Sequence, residues 1–248
     1  MTLKVAVTLP SFVEDPEIPL AIARAAEDVE LDAVFVYDHL WRGDPPNRRP
    51  ALECFALLGA VAAETERVGV GTLVARATLR PPATLCNAFA TVQRISNGRL
   101  LAAIGAGDSQ SRAENEAFGL DFGTMAERID ALHGAVRATR GHGYPVWVGG
   151  IAAPVREIVT IADGWNRWGG TPEEFVAEAK LVREVAPDAV LTWGGLAKPR
   201  EEGVDALAAR LTPFVDAGAK WIIIGPVDSS NPENVPVLGE LRARLTTR

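Results

Sequence analysis

The sequence predicts a (β/α)8 barrel, and three observations carry that prediction. The chain is 248 residues long, close to the roughly 250 residues that one such barrel uses. Short apolar runs alternate with amphipathic or Ala-rich segments eight times over, the pattern of repeated βα units around a parallel sheet. No composition break, linker or low-complexity segment divides the chain. Because the eight units fill the chain with nothing left over, one barrel domain over residues 1–248 is preferred to an open, doubly wound sheet.

The elements follow in order. Lys4–Leu9 reads as the first strand, closed by Pro10. Glu14-Asp15-Pro16-Glu17 opens an amphipathic helix through about Glu30, with acids in the first turn, where the helix dipole favours them. The second strand starts at Ala33 as Ala-Val-Phe-Val, an apolar run of the kind buried on both faces, and stops abruptly in Tyr37-Asp38-His39-Leu40-Trp41. Arg42–Pro50 is a Pro- and Arg-rich loop, Ala51–Thr65 a helix and Val68–Val74 the third strand. Ala75–Pro82 reads as an irregular loop, Ala83–Ile95 as a helix and Ser96-Asn97-Gly98 as a tight turn. Arg99–Ile104 is the fourth strand; a long loop beginning Gly105-Ala106-Gly107 and a helix over Thr124–Thr139 follow. Pro145–Val148 is the fifth strand, ending in Gly149-Gly150. A helix starts near Pro154, and Ile161–Trp165 is the sixth strand. Thr171-Pro172-Glu173-Glu174 is a strong helix start, with Thr at N-cap, Pro at N1 and Glu at N3. Ala189–Trp193 is the seventh strand, Glu201–Ala217 a helix, Trp221–Ile224 the eighth strand and Asn234–Leu245 a closing helix.

Composition narrows the partners. A hydrophobic share of 48% is enough for one sizeable core, and a net charge of −7 argues against a nucleic-acid partner. A phosphorylated small molecule held by backbone amides stays compatible with that charge. Two cysteines, Cys54 and Cys86, form no CxxC and no disulfide framework, so a reducing, cytoplasmic setting is the expectation. The first residues run straight into a strand, and no apolar run approaches the roughly 20 residues that span a bilayer. No membrane partner is expected.

In a parallel barrel every strand's carboxyl end points to one rim, where ligands bind. That rim collects Asp38-His39-Leu40-Trp41, Leu73-Val74-Ala75-Arg76, Gly105-Ala106-Gly107-Asp108, Gly149-Gly150, Trp165-Asn166, Trp193-Gly194-Gly195 and Gly225-Pro226. Glycines let a backbone approach a ligand closely, and indoles offer flat apolar walls, so the rim suits a large planar molecule with an anionic tail; turn preference alone also explains glycine at such positions. Of three histidines, His133 falls mid-helix and His142 in a connector on the opposite face, both read as structural or solvated. His39 alone stands at the rim, beside a carboxylate, where an imidazole can manage a proton. The first strand ends in Thr8-Leu9-Pro10-Ser11, without the His-x-His that a barrel metal site would want, so no metal is expected. No G-x-S-x-G elbow or rim cysteine offers a nucleophile. By elimination the chemistry falls to an organic cofactor.

The residues in sequence order also resemble the luciferase-like flavin and deazaflavin oxidoreductases, especially the branch that uses coenzyme F420. The matching pieces are Tyr37-Asp38-His39-Leu40-Trp41, then Val68-Gly69-Val70-Gly71-Thr72-Leu73-Val74 with Arg80-Pro81-Pro82, and Ile95-Ser96-Asn97-Gly98-Arg99-Leu100. They continue with Gly105-Ala106-Gly107-Asp108, Ala117-Phe118-Gly119, Val146-Trp147-Val148-Gly149-Gly150 and Ala162-Asp163-Gly164-Trp165, covering nearly the whole chain. The resemblance implies a luciferase-like barrel with the cofactor ring across the rim. It makes His39 the residue that moves or stabilises a proton and Asp38 a contact of the ring system. Leu73 and Val74 become a bulge behind the ring, joined by a non-prolyl cis peptide. Gly105, Gly107 and Asp108 pass close to the cofactor side chain, and Gly149 and Gly150 form a backbone phosphate site, although the general barrel rule would favour Gly194-Gly195 or Gly225. Ser96–Arg99, at the amino end of its strand, is structural. Trp41 and Trp193 are assigned to the substrate wall, and Arg76 and Arg112 are candidates for the anionic tail.

Two departures from the family pattern stand out. A long insertion usually follows the helix that ends here near Arg140, yet Pro145 comes almost at once, which implies an open pocket or one completed by another subunit of a homodimer. A longer polar stretch also usually follows the Asp-His. The expected function is hydride transfer between F420 and a small organic substrate; the alternatives are an FMN-dependent monooxygenase and a non-catalytic flavin-binding protein.

Overall fold

A computed structural model describes residues 2–43, 48–108 and 111–247. In chain order the elements are β1 (Lys4–Thr8), α1 (Glu17–Asp28), β2 (Ala33–Val36), β3 (Trp41–Arg42), β4 (Arg49–Pro50), α2 (Cys54–Glu64), β5 (Gly69–Arg76), α3 (Pro82–Ile95), β6 (Leu100–Gly105), α4 (Ser111–Ala117) and α5 (Met125–Thr139). They continue with β7 (Val146–Gly149), α6 (Ala152–Val159), β8 (Gly164–Trp168), α7 (Pro172–Val185), β9 (Val190–Ala197), α8 (Pro199–Glu202), α9 (Val204–Asp216), β10 (Trp221–Pro226) and α10 (Asn234–Thr246). Eight of the strands pair in parallel and close into a barrel in the order β1-β10-β9-β8-β7-β6-β5-β2. The expected (β/α)8 barrel is therefore what the chain forms.

Two packed layers hold it. One cluster made only of strand residues fills the lumen: Ala6, Ala33, Phe35, Leu73, Ala103, Trp147, Trp221 and Ile223. Large and small side chains alternate there, as a close-packed interior requires. Trp147 packs edge-on to Trp221 with ring centres 5.3 Å apart, and a Cβ at Gly164 would stand 2.9 Å from the Trp147 ring. A second, larger cluster joins the outward faces of the strands to the helices, including Trp165, Trp193, Phe175 and Phe214.

Helix starts match their sequence signals. Thr171 caps α7 and Glu174 returns the bond to the Thr171 N–H at 2.9 Å, a full capping box; Thr124 and Glu127 do the same for α5. Arg99 stitches the amino end of β6, donating to the carbonyls of Ser96, Ala62, Thr65 and Val68, in keeping with a structural role for Ser96–Arg99. His142 lies against Tyr144 in the connector before β7, on the face away from the rim.

Four local expectations are corrected. The sixth barrel strand is Gly164–Trp168, not Ile161–Trp165: Ile161 and Ala162 close a turn on Ile158 and Val159. The loop after Trp41 contains a short antiparallel ladder, β3 with β4. The long loop after β6 contains α4. The helix read over Glu201–Ala217 is two helices divided at Gly203, whose φ of +75° ends α8. In β5 the register slips between Thr72 and Ala75, and the Leu73–Val74 peptide is cis, as the resemblance implied.

The bulge explains two glycines. A Cβ at Gly105 would come within 2.5 Å of Val74 Cγ2, and a Cβ at Gly149 within 2.5 Å of Val74 Cγ1. The side chain of Val74 lies in the space that those two glycines leave. Gly105→Ala is therefore expected to destabilise the fold by about 1–3 kcal/mol through overpacking. In urea unfolding, Val74→Ala in the same chain should recover part of that loss; strictly additive losses would contradict the contact.

Candidate active site

The carboxyl end of β2 supplies the centre of the rim. Beyond Val36 the chain places Tyr37, Asp38 and His39 successively, and each has a different fate. Tyr37 donates its hydroxyl hydrogen to Thr8 Oγ1 at 2.8 Å, and burial pushes its pKa up to about 12. Its ring meets Phe12 at 6.3 Å and stands edge-on to Trp168 at 6.0 Å. Tyr37 is thus a wall of the site, held neutral near physiological pH.

Asp38 is buried, and its carboxylate is fully engaged within the chain. It accepts from the Arg76 backbone N–H at 2.8 Å and from Arg80 Nη1 and Nη2 at 2.7 and 3.1 Å. Burial alone would lower the Arg80 pKa, but the carboxylates of Asp38 and Glu53 outweigh it and hold the guanidinium above its ordinary value. The geometry makes Asp38 a brace between β2 and β5.

His39 is the group that reaches outward. Its side chain is 31% exposed, and Nδ1 lies 2.7 Å from Glu114 Oε1, on a carboxylate only 5% exposed. An ionised carboxylate can only accept, so the imidazole donates through Nδ1–H and keeps Nε2 available as an acceptor when neutral. Nε2 has no hydrogen-bond partner among the described residues. Glu114 also accepts from the Leu40 N–H at 2.8 Å and from Arg76 Nη2 at 3.2 Å. Burial would raise the Glu114 pKa, but the hydrogen bonds from His39 and Leu40 and the charges of His39 and Arg76 hold it below its ordinary value.

Glu114 carries no sequence signal, because it sits on α4, whose Ser-Arg-Ala-Glu-Asn-Glu-Ala has no apolar stripe. The expected Gly107-Asp108 segment has a part in placing it. Gly107 turns with φ +74°, and Asp108 Oδ1 accepts from the Ser111 N–H at 3.1 Å and its hydroxyl at 3.2 Å, at the start of α4.

Other expected residues separate into those at the rim and those away from it. Leu73 and Val74 lie at the mouth of the lumen beside Gly105 and Gly149. Trp41 stands on β3, its ring 5.6 Å from Phe118, with the Arg48 guanidinium 3.9 Å above it. Trp193 is not brought to the rim. It is 3% exposed, stacks on Phe214 at 4.2 Å in the helix layer and donates to the Gly169 carbonyl. The indole that does face the mouth is Trp168: a Cβ at Gly194 would stand 2.7 Å from its ring, and one at Gly225 3.0 Å from it. Those glycines, considered for phosphate, make room for this ring.

The arginines considered for an anionic tail are also used elsewhere. Arg76 is 3% exposed and donates to the Asp38 carbonyl at 2.7 Å, Asn115 Oδ1 at 3.0 Å and Glu114. Arg112 is exposed, pairs with Glu116 at 3.6 Å and lies over Phe122. At Gly149-Gly150 the Gly150 N–H donates to the Asn166 carbonyl at 3.1 Å. The first amide of α6, on Ala152, donates to Glu178 Oε2 at 2.7 Å, and Glu178 pairs with Arg167 at 2.9 Å. At this helix terminus the chain's own carboxylate thus takes the Ala152 amide, one of the groups an anion would use.

The luciferase-like monooxygenase family model matches residues 7–192, and the chain belongs to that family. Among curated relatives, it is 36% identical over 118 residues to an F420-dependent glucose-6-phosphate dehydrogenase of Amycolatopsis mediterranei, covering 46% of this chain and 34% of that one. It is 42% identical over 101 residues to the protein of the same name from Beutenbergia cavernae, covering 40% of this chain and 29% of that one. The matches thus span about a third of the length of these relatives. Among solved structures, an F420-dependent secondary alcohol dehydrogenase bound to an F420–acetone adduct superposes with a TM-score of 0.82 at 16% identity, covering 99% of each chain. The FMN complex of a type II Baeyer–Villiger monooxygenase component from Pseudomonas putida gives 0.76 at 11% identity, covering 100% of this chain and 99% of that one. At such identities the structures establish the shared fold.

The Glu114 contacts have a pH signature. A carboxyl whose folded-state pKa lies below its ordinary 4.5 contributes stability above that value and loses it as the pH falls through the folded value. Glu114→Gln should therefore cost about 3 kcal/mol at pH 7, where it leaves Arg76 partly uncompensated. The gap to the native chain should narrow as the pH falls below the ordinary 4.5 and through the folded-state value. A gap that stays constant across an acid titration of chemical unfolding, down to full protonation of the carboxyls, would contradict this.

Proposed function

We propose that the chain is an F420-dependent oxidoreductase that moves a hydride between the deazaflavin ring and a small organic substrate. The observation that carries this reading is His39, just beyond the carboxyl end of β2, fastened by Glu114 through Nδ1 so that Nε2 is left available. The curated relatives named for F420, at 36% and 42% identity, favour that cofactor.

The residues present fit the ring. A planar tricycle needs an apolar floor with little side-chain relief, and Val74 in the gap left by Gly105 and Gly149 offers one. Tyr37 and Trp168 would wall the opposite side, with Trp41 and exposed Leu196 and Val227 on the substrate side. Gly105, Gly107 and Asp108 would border the cofactor side chain. The fit to the anionic tail at Gly149-Gly150 requires Glu178 to leave the α6 amide.

When bound, the deazaflavin supplies a two-electron acceptor or donor at ring carbon C5. His39 Nε2 accepts the hydroxyl proton as an alcohol is oxidised and returns it when a carbonyl is reduced. Asp38 acts at one remove, by holding Arg76 and Arg80 in register under the rim. A homodimer is part of the proposal, but the short Arg140–Pro145 connection lies with His142 on the face away from the rim and gives the second copy no part in closing the mouth. The FMN reading is kept because the fold is shared with an FMN-bound monooxygenase; that chemistry would need a closed, dry pocket.

Titration with F420, FMN and FAD, followed by ligand fluorescence and thermal shift, separates these readings. F420 should bind; tight FMN binding with no response to F420 would overturn the proposal. With a panel of alcohols, ketones and enones, His39→Ala should keep F420 affinity and lose turnover by at least about 10²-fold. Undiminished turnover would remove the proton role, and no reaction of the bound, reduced cofactor with oxygen or the panel would favour a non-catalytic binder.

A further inference from the structure

A cavity of about 510 Å³ opens at the outer edge of the rim, between the β5–α3 loop and the start of α5. Ala77, Leu79, Pro81, Pro82, Leu120 and Phe122 give it apolar walls, and Arg80 and Arg128 line it as well. None of Tyr37, His39, Val74 or Trp168 lines it, so it is distinct from the mouth of the barrel.

Arg128 is the unexplained group. It is 5% exposed, and its Nε is buried without a hydrogen-bond partner. Its remaining contacts are weak for a cation: the Gly123 carbonyl at 3.3 Å, Met125 Sδ at 3.5 Å and the face of Phe122 at 4.2 Å. No ion pair to Arg128 is formed among the described residues. A buried charge without a counter-ion is costly, and such charges are normally paired.

The two acids of the cavity wall are turned back on the backbone. Glu127 Oε2 accepts from the Thr124 N–H and hydroxyl at 2.7 and 2.8 Å, and Asp121 Oδ1 from the Gly123 N–H at 3.0 Å. Arg80 is already neutralised by Asp38 and Glu53. Arg112, which lies over the same Phe122 ring at 4.7 Å, is paired with Glu116. In addition, α3 begins at Pro82 on the cavity wall with no side chain capping it, so its positive end adds to the field there.

We infer that this cavity is a binding site for a small anion, a carboxylate or a phosphate monoester, with Arg128 as the charge that pairs with it. The apolar walls take the body of the ligand and the guanidinium takes its head, in the two-pronged geometry that arginine offers to both anions.

Isothermal titration calorimetry on the whole chain, without added cofactor, tests this with inorganic phosphate and succinate against sodium chloride at matched ionic strength. Saturable binding of phosphate, succinate or both is expected, and which one binds names the head group. Arg128→Met, which keeps the stem against Phe122, should weaken binding at least tenfold. Ala131→Phe, which fills the cavity from α5 while leaving Arg128 in place, should do the same. If Arg128→Met fails to fold, Ala131→Phe decides alone. Heats no different from chloride, or affinity unchanged in both variants, would overturn the inference whether or not F420 binds at the mouth.

Discussion

The rim of this barrel depends on one guanidinium. Arg76, at the end of β5, reaches the Asp38 carbonyl just beyond β2 and both Asn115 and Glu114 on α4, while its own amide donates to the Asp38 carboxylate. Three segments far apart in sequence are thereby held together in a buried place where a lone charge could not stay. Glu114 passes that order on to His39. Arg76 and the Leu40 amide hold Glu114 by Oε2, and the imidazole donates to the other oxygen, Oε1. Proton chemistry at His39, if it occurs as proposed, would rest on this chain of contacts and only indirectly on Asp38, its neighbour in sequence.

The rim glycines have a second lesson. Gly105 and Gly149 leave room for Val74, and Gly194 and Gly225 for Trp168. Close approach is the common reason for a glycine in a strand, but here the approaching group is a side chain of the same chain. The result is a mouth surfaced by Val74, Tyr37 and Trp168 rather than by bare backbone.

Much of this was legible in the sequence, and what was not has physical causes. The alternation of apolar runs with helical segments specified the barrel, and Thr171-Pro172-Glu173-Glu174 specified a helix start almost to the residue. Gly164–Trp168 escaped because Gly-Trp-Asn-Arg-Trp is a polar strand whose apolar neighbours Ile161 and Ala162 belong to a turn. Trp165 was expected at the rim because the strand was ended there; it runs three residues further, and Trp168 stands at its carboxyl end. Trp193 was misplaced because β9 runs on to Ala197 and the residue points outward to Phe214. Glu114 and the Glu178 contact at α6 are long-range pairings, and no local pattern announces a partner 75 residues away.

The tautomer of His39 tests the central arrangement most directly. Nitrogen-15 NMR of the imidazoles, assigned against His133→Gln and His142→Gln, should show neutral His39 protonated at Nδ1, with Nε2 as the unprotonated nitrogen. Added F420 should perturb Nε2 more than Nδ1. A neutral His39 carrying its proton on Nε2, with Nδ1 bare toward Glu114, would contradict it.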